Sequence, residues 1–378
     1  MNILIAPNSY KGSLTGFEAA FAIEKGVKSV FPRAKTLKVP LADGGDGTME
    51  IMAFATGGKI KSAKVTGPLK NRITAKYGVS GDGRVYFIEM AEASGLKLVP
   101  EKKRNPMLTT TRGVGELINI ALSSGAKKIV VGIGGSATND GGSGMAGALG
   151  FKLLNRHGKE ISGGGSGLIE LDRIEGRETL DKFKNIEIVV ACDVTNPLYG
   201  RSGASRIFGP QKGALPWMTA ALDTALFKYA KIIRRDLGID VSGLKGGGAA
   251  GGLGAGLYAF TGAKLKKGIN IIMNISGIEE KLKKADLVIT GEGQLDNQSM
   301  YGKVPVGLAL LAKKYGVPVL CIAGKIGDIN EKIYAAGISA VVTLVDGPIT
   351  LENSMKNASI LLTAATARTL KAIKNIKL

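Results

Sequence analysis

Histidine is almost missing from this chain of 378 residues; His157 is the one copy. It stands beside Gly158 in a loop-like stretch and reads as a solvated loop residue. A histidine-ligated metal centre and a Ser–His–Asp triad are set aside on that count. Cysteine is nearly as scarce. Cys192 and Cys321 lie far apart, each ending an apolar run. They read as reduced core thiols of a cytoplasmic protein, not as a disulfide framework. Aromatic residues make up 5% of the chain, and no RNA- or DNA-binding motif is present. No uninterrupted apolar stretch is long enough to span a bilayer. The opening, MNILIAPNSYKGS, turns polar too early for a signal peptide and reads as a first strand. Acidic residues are also in deficit, 31 Asp plus Glu against 51 Lys plus Arg, for a formal net charge of +20. The lysines are scattered, and runs such as Lys102–Lys103–Arg104 are short. The charge therefore suits a small anionic substrate and a lysine-rich surface, with no nucleic acid and no membrane as partner.

What the chain has in excess is glycine, 55 residues, about double the average share. These cluster at 132–150, 163–167, 246–256 and 291–302. Glycine runs between strand and helix signals are what close backbone approach to phosphates needs. The hydrophobic fraction of 44% excludes disorder, and the length suits a large core in two domains.

The stretch 286–309, DLVITGEGQLDNQSMYGKVPVGLA, carries the most chemistry. Leu287–Val288–Ile289 suits a buried parallel strand, and Gly291 and Gly293 are read as breaking it. The carboxylates Glu292 and Asp296 follow in the expected loop. Pro305 then opens a helix with Lys303 just before it. Such a helix start with a lysine favours an anion, and carboxylates beside an anion suggest a bridging metal.

The same design recurs along the chain. After NILIA comes PNSYKGSLT, with Thr15 and Glu18 placed as a capping box. Ser9, Lys11, Gly12 and Ser13 fall in the loop between that strand and that helix. Lys11 is placed to clamp a phosphate, although this is not a Walker A sequence. A strand at Thr36–Val39 leads to PLADGGDGT, where Asp43 and Asp46 stand in a glycine loop; for Asp46 a capping aspartate on a tight turn fits equally well. ITAKYGV and RVYFIEM alternate around SGDG, a β-hairpin signal. A helix is expected over 114–123, ended by Gly125. The strand–loop–helix segment KKIVVGIGGSATNDGGSGMAGALG offers Ser136, Thr138, Asn139 and Asp140. IEIVVAC runs into Asp193–Val194–Thr195–Asn196, and a loop with Arg201, Ser205, Arg206, Gln211 and Lys212 precedes a helix from Pro216 to about Leu237. Two dinucleotide-type glycine patterns, at 142–147 and 246–251, are too weak in so glycine-rich a chain to support an NAD reading.

The strand–helix rhythm resumes with strands at 286–290, 317–322 and 340–344 and a last helix near 352–374. These join the first two strands in a parallel sheet. The expectation is an α/β protein: a Rossmann-like domain from 1–68 and 285–378, with a second α/β domain, 69–284, inserted. Both are expected to turn charged, glycine-rich strand ends toward a cleft. Lysines, carboxylates and glycine loops together suit phosphoryl transfer, which needs cations against phosphate, carboxylates for magnesium and a base for the attacking hydroxyl.

Six blocks, NSYKGSLT, PLADGGDGT, GIGGSATNDGG, DVTNPLYG followed by GPQKGA, GGGAAGGLGAGL and TGEGQLDNQSMYGK, resemble in this order the motifs of the type 1 bacterial glycerate kinase family. The resemblance covers nearly the whole chain. Asn8 stands where that family often has aspartate, and Tyr10 where phenylalanine is common. The resemblance implies ATP-dependent phosphorylation of D-glycerate, usually to 2-phosphoglycerate, with Mg²⁺. Within it, Asp193 is assigned as general base, with Asp296 as rival. Lys11 and Lys303 screen phosphate or the glycerate carboxylate, and Ser9 and Ser13 join them in binding. Asp43, Asp46 and Glu292 are assigned to magnesium. Ser136, Asn139, Asn196 and the loop carrying Gly247 and Gly248 are assigned to nucleotide or glycerate. Arg112 fits the substrate carboxylate and, equally, a solvated arginine. A kinase of another small hydroxy acid and a non-catalytic sensor of an anionic metabolite are the alternative readings. Homodimer formation and the hydroxyl phosphorylated are left open.

Overall fold

A computed structural model describes residues 1–42, 44, 45, 47–296 and 303–375. Its strands, in chain order, are β1 (Asn2–Ile5), β2 (Lys35–Lys38), β3 (Lys59–Thr66), β4 (Arg72–Val79), β5 (Val85–Glu89), β6 (Lys128–Gly132), β7 (Lys152–Asn155), β8 (Leu171–Glu175), β9 (Glu187–Ala191), β10 (Lys264–Lys266), β11 (Leu287–Leu295), β12 (Val319–Ile326) and β13 (Ile338–Thr343). The chain divides into two compact units, Met1–Asp43 with Ile269–Leu378, and Gly44–Gly268.

The first unit holds a five-stranded parallel sheet in the order β13-β12-β11-β1-β2. Ile3, Ile5, Ile289, Leu320 and Ile322 are buried in its core. The helix Gly16–Val30 packs there against the helix Ala358–Asn375. A Cβ on Gly26 would come within 2.6 Å of Thr363 O, so glycine lets the two backbones approach. The capping box is present: Thr15 Oγ1 accepts from Glu18 N, and Glu18 Oε2 accepts from Thr15 N. The chain's last helical region is not continuous; Leu351–Lys356 and Ala358–Asn375 are separate helices meeting at Asn357.

The second unit holds a six-stranded sheet, β10-β9-β6-β5-β4-β3, and a small β7–β8 ribbon. β5, β6, β9 and β10 pair parallel, whereas β3–β4 and β4–β5 pair antiparallel, the latter as the SGDG hairpin. The unit boundaries fall at 43/44 and 268/269, where the sequence pattern suggested 68/69 and 284/285. The reason is β3: it pairs with β4 along its whole length, and the helix Thr48–Ala55 packs on β3, β4 and β5. A half-exposed edge strand with Lys59, Lys61 and Lys64 carries little hydrophobic pattern, so its pairing is hidden in the sequence. Part of the excess charge sits on sheet edges. β2 and β10 are edge strands too, and carry Lys35, Lys38, Lys264 and Lys266. Edge lysines deter pairing with a second chain. Among the described residues no helix is long and apolar enough to cross a membrane.

Two local readings are corrected. β11 does not end at Gly291 or Gly293; it continues to Leu295, paired with β12 as far as Ile326. A Cβ on Gly291 would stand 2.1 Å from Ile322 O and 2.3 Å from the Tyr10 hydroxyl, and one on Gly324 would stand 2.6 Å from Gly293 O. Glycine here relieves crowding between strands and does not turn the chain. Cys192 is only partly buried, whereas Cys321 lies fully inside β12; both are free thiols. Burial raises the pKa of both, that of Cys192 to about 11, so both stay protonated.

Candidate functional site

In the first unit, the end of β1 leads into a loop whose shape is set by its own side chains. Ser9 N donates to Asn8 Oδ1 at 2.8 Å, and Ser13 Oγ donates to Tyr10 O at 3.0 Å. Gly12 has φ +80°, a left-handed turn that glycine adopts without strain. Tyr10 is buried, and its hydroxyl donates to Ile322 O at 2.6 Å, tying the loop to β12. Burial, with Cys321 and Glu292 nearby, lifts the Tyr10 pKa well above the usual phenol value, so it remains a donor. Lys11 follows this anchored residue and is exposed. Its backbone lies beside β11, since a Cβ on Gly293 would be 3.3 Å from Lys11 N.

Three of the expected charged residues meet at the far end of β11. Lys303 is the N-cap of the helix Val304–Lys313, with proline in its first turn. Its Nζ lies 3.8 Å from Glu292 Oε1 and 3.9 Å from Asp296 Oδ1, and donates to Gln294 O at 3.3 Å. Gln294 Nε2 donates to Asp296 Oδ2 at 2.9 Å. Glu292 is a strand residue and 4% exposed, not a loop carboxylate. So Lys11, Glu292, Asp296 and Lys303 are gathered on adjacent strand ends of one unit. Asp43 and Asp46 lie outside the described residues. Among the described residues no group of three or more His, Cys, Asp or Glu could hold a metal ion. Glu292 and Asp296 nevertheless suit a magnesium ion whose remaining ligands are phosphate and water, because Mg²⁺ takes oxygen donors and needs few from protein.

In the second unit, Asp193 follows β9 and is exposed. Its Oδ1 accepts from Gly268 N at 3.0 Å, which fixes the carboxylate at the start of the helix Gly268–Ser276. A Cβ on Gly44 would lie 3.3 Å from Asp193 Oδ2. Asn196 Nδ2 donates to Ser202 O at 2.8 Å, and Gly248 N donates to Asn196 O at 3.0 Å. The glycine run fits against this loop. A Cβ on Gly248 would stand 2.2 Å from Pro197 O, one on Gly247 3.0 Å from Leu244 O, and one on Gly251 1.9 Å from Thr138 O. Backbone-on-backbone packing therefore accounts for these glycines without a phosphate.

The loop after β6 is a buried polar knot. Ser136 is buried, and Asn139 Nδ2 donates to Ser205 Oγ at 2.9 Å. Asp140 accepts from Thr111 N and Thr111 Oγ1, each at 2.8 Å, and from the backbone N–H groups of Gly142 and Gly144. Burial still raises the Asp140 pKa against those bonds. Lys212, 1% exposed, donates to Thr138 O at 2.7 Å. Burial lowers its pKa to about 7, opposed by the Asp140 charge. Thr138 Oγ1 and Asn139 Oδ1 are buried without a hydrogen-bond partner among the described residues. The sequence offered Asp140 and Lys212 as loop residues without giving either a role. Both stand inside motifs of the family pattern, GSATNDGG and GPQKGA, but periodicity cannot report that a lysine is buried. Arg112 follows Thr111 at the edge of this knot, but its side chain is exposed, and its Nε is 3.5 Å from Glu116 Oε1.

Comparison with known proteins brings these features under one heading. A model described as the glycerate kinase family matches residues 3–374. The chain is 52% identical over 358 residues to a protein named glycerate 2-kinase from Escherichia coli (strain K12), covering 95% of this chain and 94% of that one. It is 49% identical over 359 residues to a glycerate kinase from Bacillus subtilis (strain 168), covering 95% and 94%. A crystal structure of a protein assigned as glycerate kinase 2 from Salmonella typhimurium LT2 superposes with a TM-score of 0.89 at 50% identity, covering 100% of both chains.

Proposed function

The chain belongs to the glycerate kinase family, and from that membership we propose that it transfers the terminal phosphoryl group of ATP to the 2-hydroxyl of D-glycerate, giving 2-phosphoglycerate and ADP. The single observation that carries the position is the 52% identity to the protein named glycerate 2-kinase, maintained over 95% of this chain.

The step breaks the bond between the γ-phosphorus and its bridging oxygen and forms one from phosphorus to the glycerate hydroxyl oxygen. The hydroxyl proton goes to a carboxylate. Asp193 is the favoured acceptor because it is exposed and is held in one orientation by Gly268 N–H. Asp296 suits the role less: Lys303 and Gln294 both engage it. Lys11 and Lys303 set positive charge against the phosphates, with Ser9 and Ser13 hydroxyls in the same loop as Lys11. Glu292 and Asp296, with Asp43 and Asp46 by assignment, would hold magnesium. When bound, that ion supplies charge neutralisation to the transferring phosphate. Ser136, Asn139, Asn196, Gly247 and Gly248 line the loops assigned to nucleotide and acid.

The test is turnover of the purified protein with ATP, Mg²⁺ and D-glycerate, with the product identified by NMR. A 3-phosphoglycerate product would overturn the positional assignment. Asp193→Asn is expected to lower kcat by roughly 10²- to 10⁴-fold. Near wild-type turnover in the folded variant would remove Asp193 from the mechanism.

A further inference from the structure

A buried carboxyl in the second unit has no part in the step described above. Glu89 is the last residue of β5 and is 8% exposed. β5, β6 and β9 lie side by side and parallel, and their registers put Glu89 opposite Gly132 and Gly132 opposite Ala191. One row across the sheet therefore runs from Glu89 to the strand end just before Asp193. At about 4.8 Å per strand, Glu89 and Ala191 stand roughly 10 Å apart in that row. These are carboxyl ends of parallel strands, where open α/β sheets place their ligands. Burying a carboxyl there is costly unless it is bonded.

Gly44 and Gly45 lie over the middle of the row. A Cβ on Gly132 would stand 3.4 Å from Gly44 O and 3.7 Å from Glu89 Cγ, and one on Gly134 would stand 3.4 Å from Gly44 O and 3.6 Å from Gly45 Cα. On one side the segment meets the proposed base. A Cβ on Gly44 would stand 3.3 Å from Asp193 Oδ2 and 3.4 Å from Ala191 Cβ. Asp193 Oδ1 accepts from Gly268 N, so the carboxylate has Gly268 at one oxygen and Gly44 at the other. On the other side the segment enters the helix Thr48–Ala55, whose N-cap, Gly47, has φ +83° and no side chain to cap with. Glu89 supplies the missing cap from a neighbouring strand: its Oε1 accepts from Met49 N, in the first helical turn, at 2.8 Å. An acidic group also suits that end of the helix dipole. With glycine at 44, 45 and 47, the segment has little conformational preference of its own. Its place over the strand ends is set by what holds its two sides.

We infer that Glu89 is a positioning residue for phosphoryl transfer: by holding the first turn of the helix Thr48–Ala55, it sets Gly44 against the Asp193 carboxylate. Glu89 acts through that segment and not on the reacting atoms. The inference rests on Asp193 as the proton acceptor, because a displaced Gly44 reaches the reaction only through the orientation of that carboxylate. A misplacement of about 1 Å at a reacting group can cost about 10²-fold in rate.

Glu89→Ala removes the acceptor, and Glu89→Gln keeps an oxygen for Met49 N. Turnover of the full chain with ATP, Mg²⁺ and D-glycerate is measured for each, with the melting temperature read separately. Glu89→Ala is expected to lower kcat about tenfold and to keep the KM for ATP and for D-glycerate within about threefold. Glu89→Gln should stay within about threefold of wild type in kcat. The sharpest comparison is in the Asp193→Asn background. There Glu89→Ala should lower kcat by less than about twofold further, since residues acting as a unit are not additive. A purely structural Glu89 would lower kcat equally in both backgrounds. Gly44→Ala reads the other end of the same link and decides the matter if Glu89→Ala does not fold. Its methyl would stand 3.3 Å from Asp193 Oδ2, at a left-handed φ of +97°, and should lower kcat about tenfold. Four results would each overturn the inference: kcat within about twofold of wild type in Glu89→Ala, equal losses in both backgrounds, a Glu89→Gln as slow as Glu89→Ala, or unchanged kcat in Gly44→Ala. An inactive wild type, or near wild-type turnover in Asp193→Asn, would overturn the kinase or base reading and this inference with it. With both readings intact, an unaffected Glu89→Ala overturns the inference alone.

Discussion

Lys11 is exposed at the end of β1, whereas Lys212 is 1% exposed under the loop that follows β6. The first unit keeps Lys11 at the surface of a strand end, beside the buried Glu292 and neighbours such as Tyr10 and Gln294. The second unit, Asp193 and Arg112 apart, buries the polar groups of its loops and packs glycine against neighbouring backbone. Charges of the first kind cost the fold little and are available to a phosphate. Groups of the second kind hold loops in place, and changing them should act on folding before chemistry. Variants that separate turnover from stability test this division.

Lys11→Ala should have the largest effect. Turnover with ATP and glycerate is expected to fall roughly 10²- to 10³-fold, the size seen when one charge-stabilising group is removed. The melting temperature should stay within about 1 °C, since an exposed side chain contributes little. A stability collapse with normal turnover would reverse the comparison at its first residue.

Gly251→Ala should act on the other side. The new Cβ would meet Thr138 O at 1.9 Å and force a left-handed alanine at φ +67°. Strain and overpacking together should cost about 3 kcal/mol of unfolding free energy, read from urea melts. Unchanged stability would mean that the glycine run is kept for a ligand and not for packing.

Tyr10→Phe is a smaller probe of the exposed side. It removes the 2.6 Å hydrogen bond to Ile322 O and leaves the ring in place. A loss of about 1 kcal/mol is expected, with the Lys11 loop less firmly held. A rise in KM for ATP at constant kcat would place the effect in binding; no change in either would make the hydroxyl purely structural.

How much of this could be read from sequence follows the same division. The helix Pro216–Leu237 was legible, because Pro216 marks its start. The Thr15–Glu18 box and the parallel strands β1, β11, β12 and β13 were legible from caps and apolar runs. The course of β11 through Gly291 and Gly293 was not, because a glycine that breaks a strand and one that admits a neighbour look alike. Of the candidate site, Glu292, Asp296 and Lys303 are close in sequence, and the structure brings them together. The burial of Asp140 and Lys212 was not legible, because burial of a lysine depends on what folds over it. The resemblance to a family was legible from ordered motifs, which no single residue carries.

Lys212→Met examines the buried side at its most sensitive point and should have the smallest net effect near neutrality. It deletes the bond to Thr138 O, worth about 1 kcal/mol, but also relieves the burial of an ammonium group. The distinctive signature is in pH. Lys212 has a folded pKa of about 7 against the ordinary lysine value of 10.5. Between those values the unfolded chain binds the extra proton and the folded chain does not. Stability of the wild type therefore rises with pH across that window, and it falls again as pH drops toward about 7. Asp140, whose folded pKa is raised by burial, acts with the opposite sign. Urea melts of wild type and Lys212→Met from about pH 7 to 10.5 should diverge steadily, with the wild type gaining on the variant. Parallel curves would show that Lys212 is charged in the folded protein. The loop after β6 would then be held by an ion pair with Asp140 and not by a neutral amine on a carbonyl.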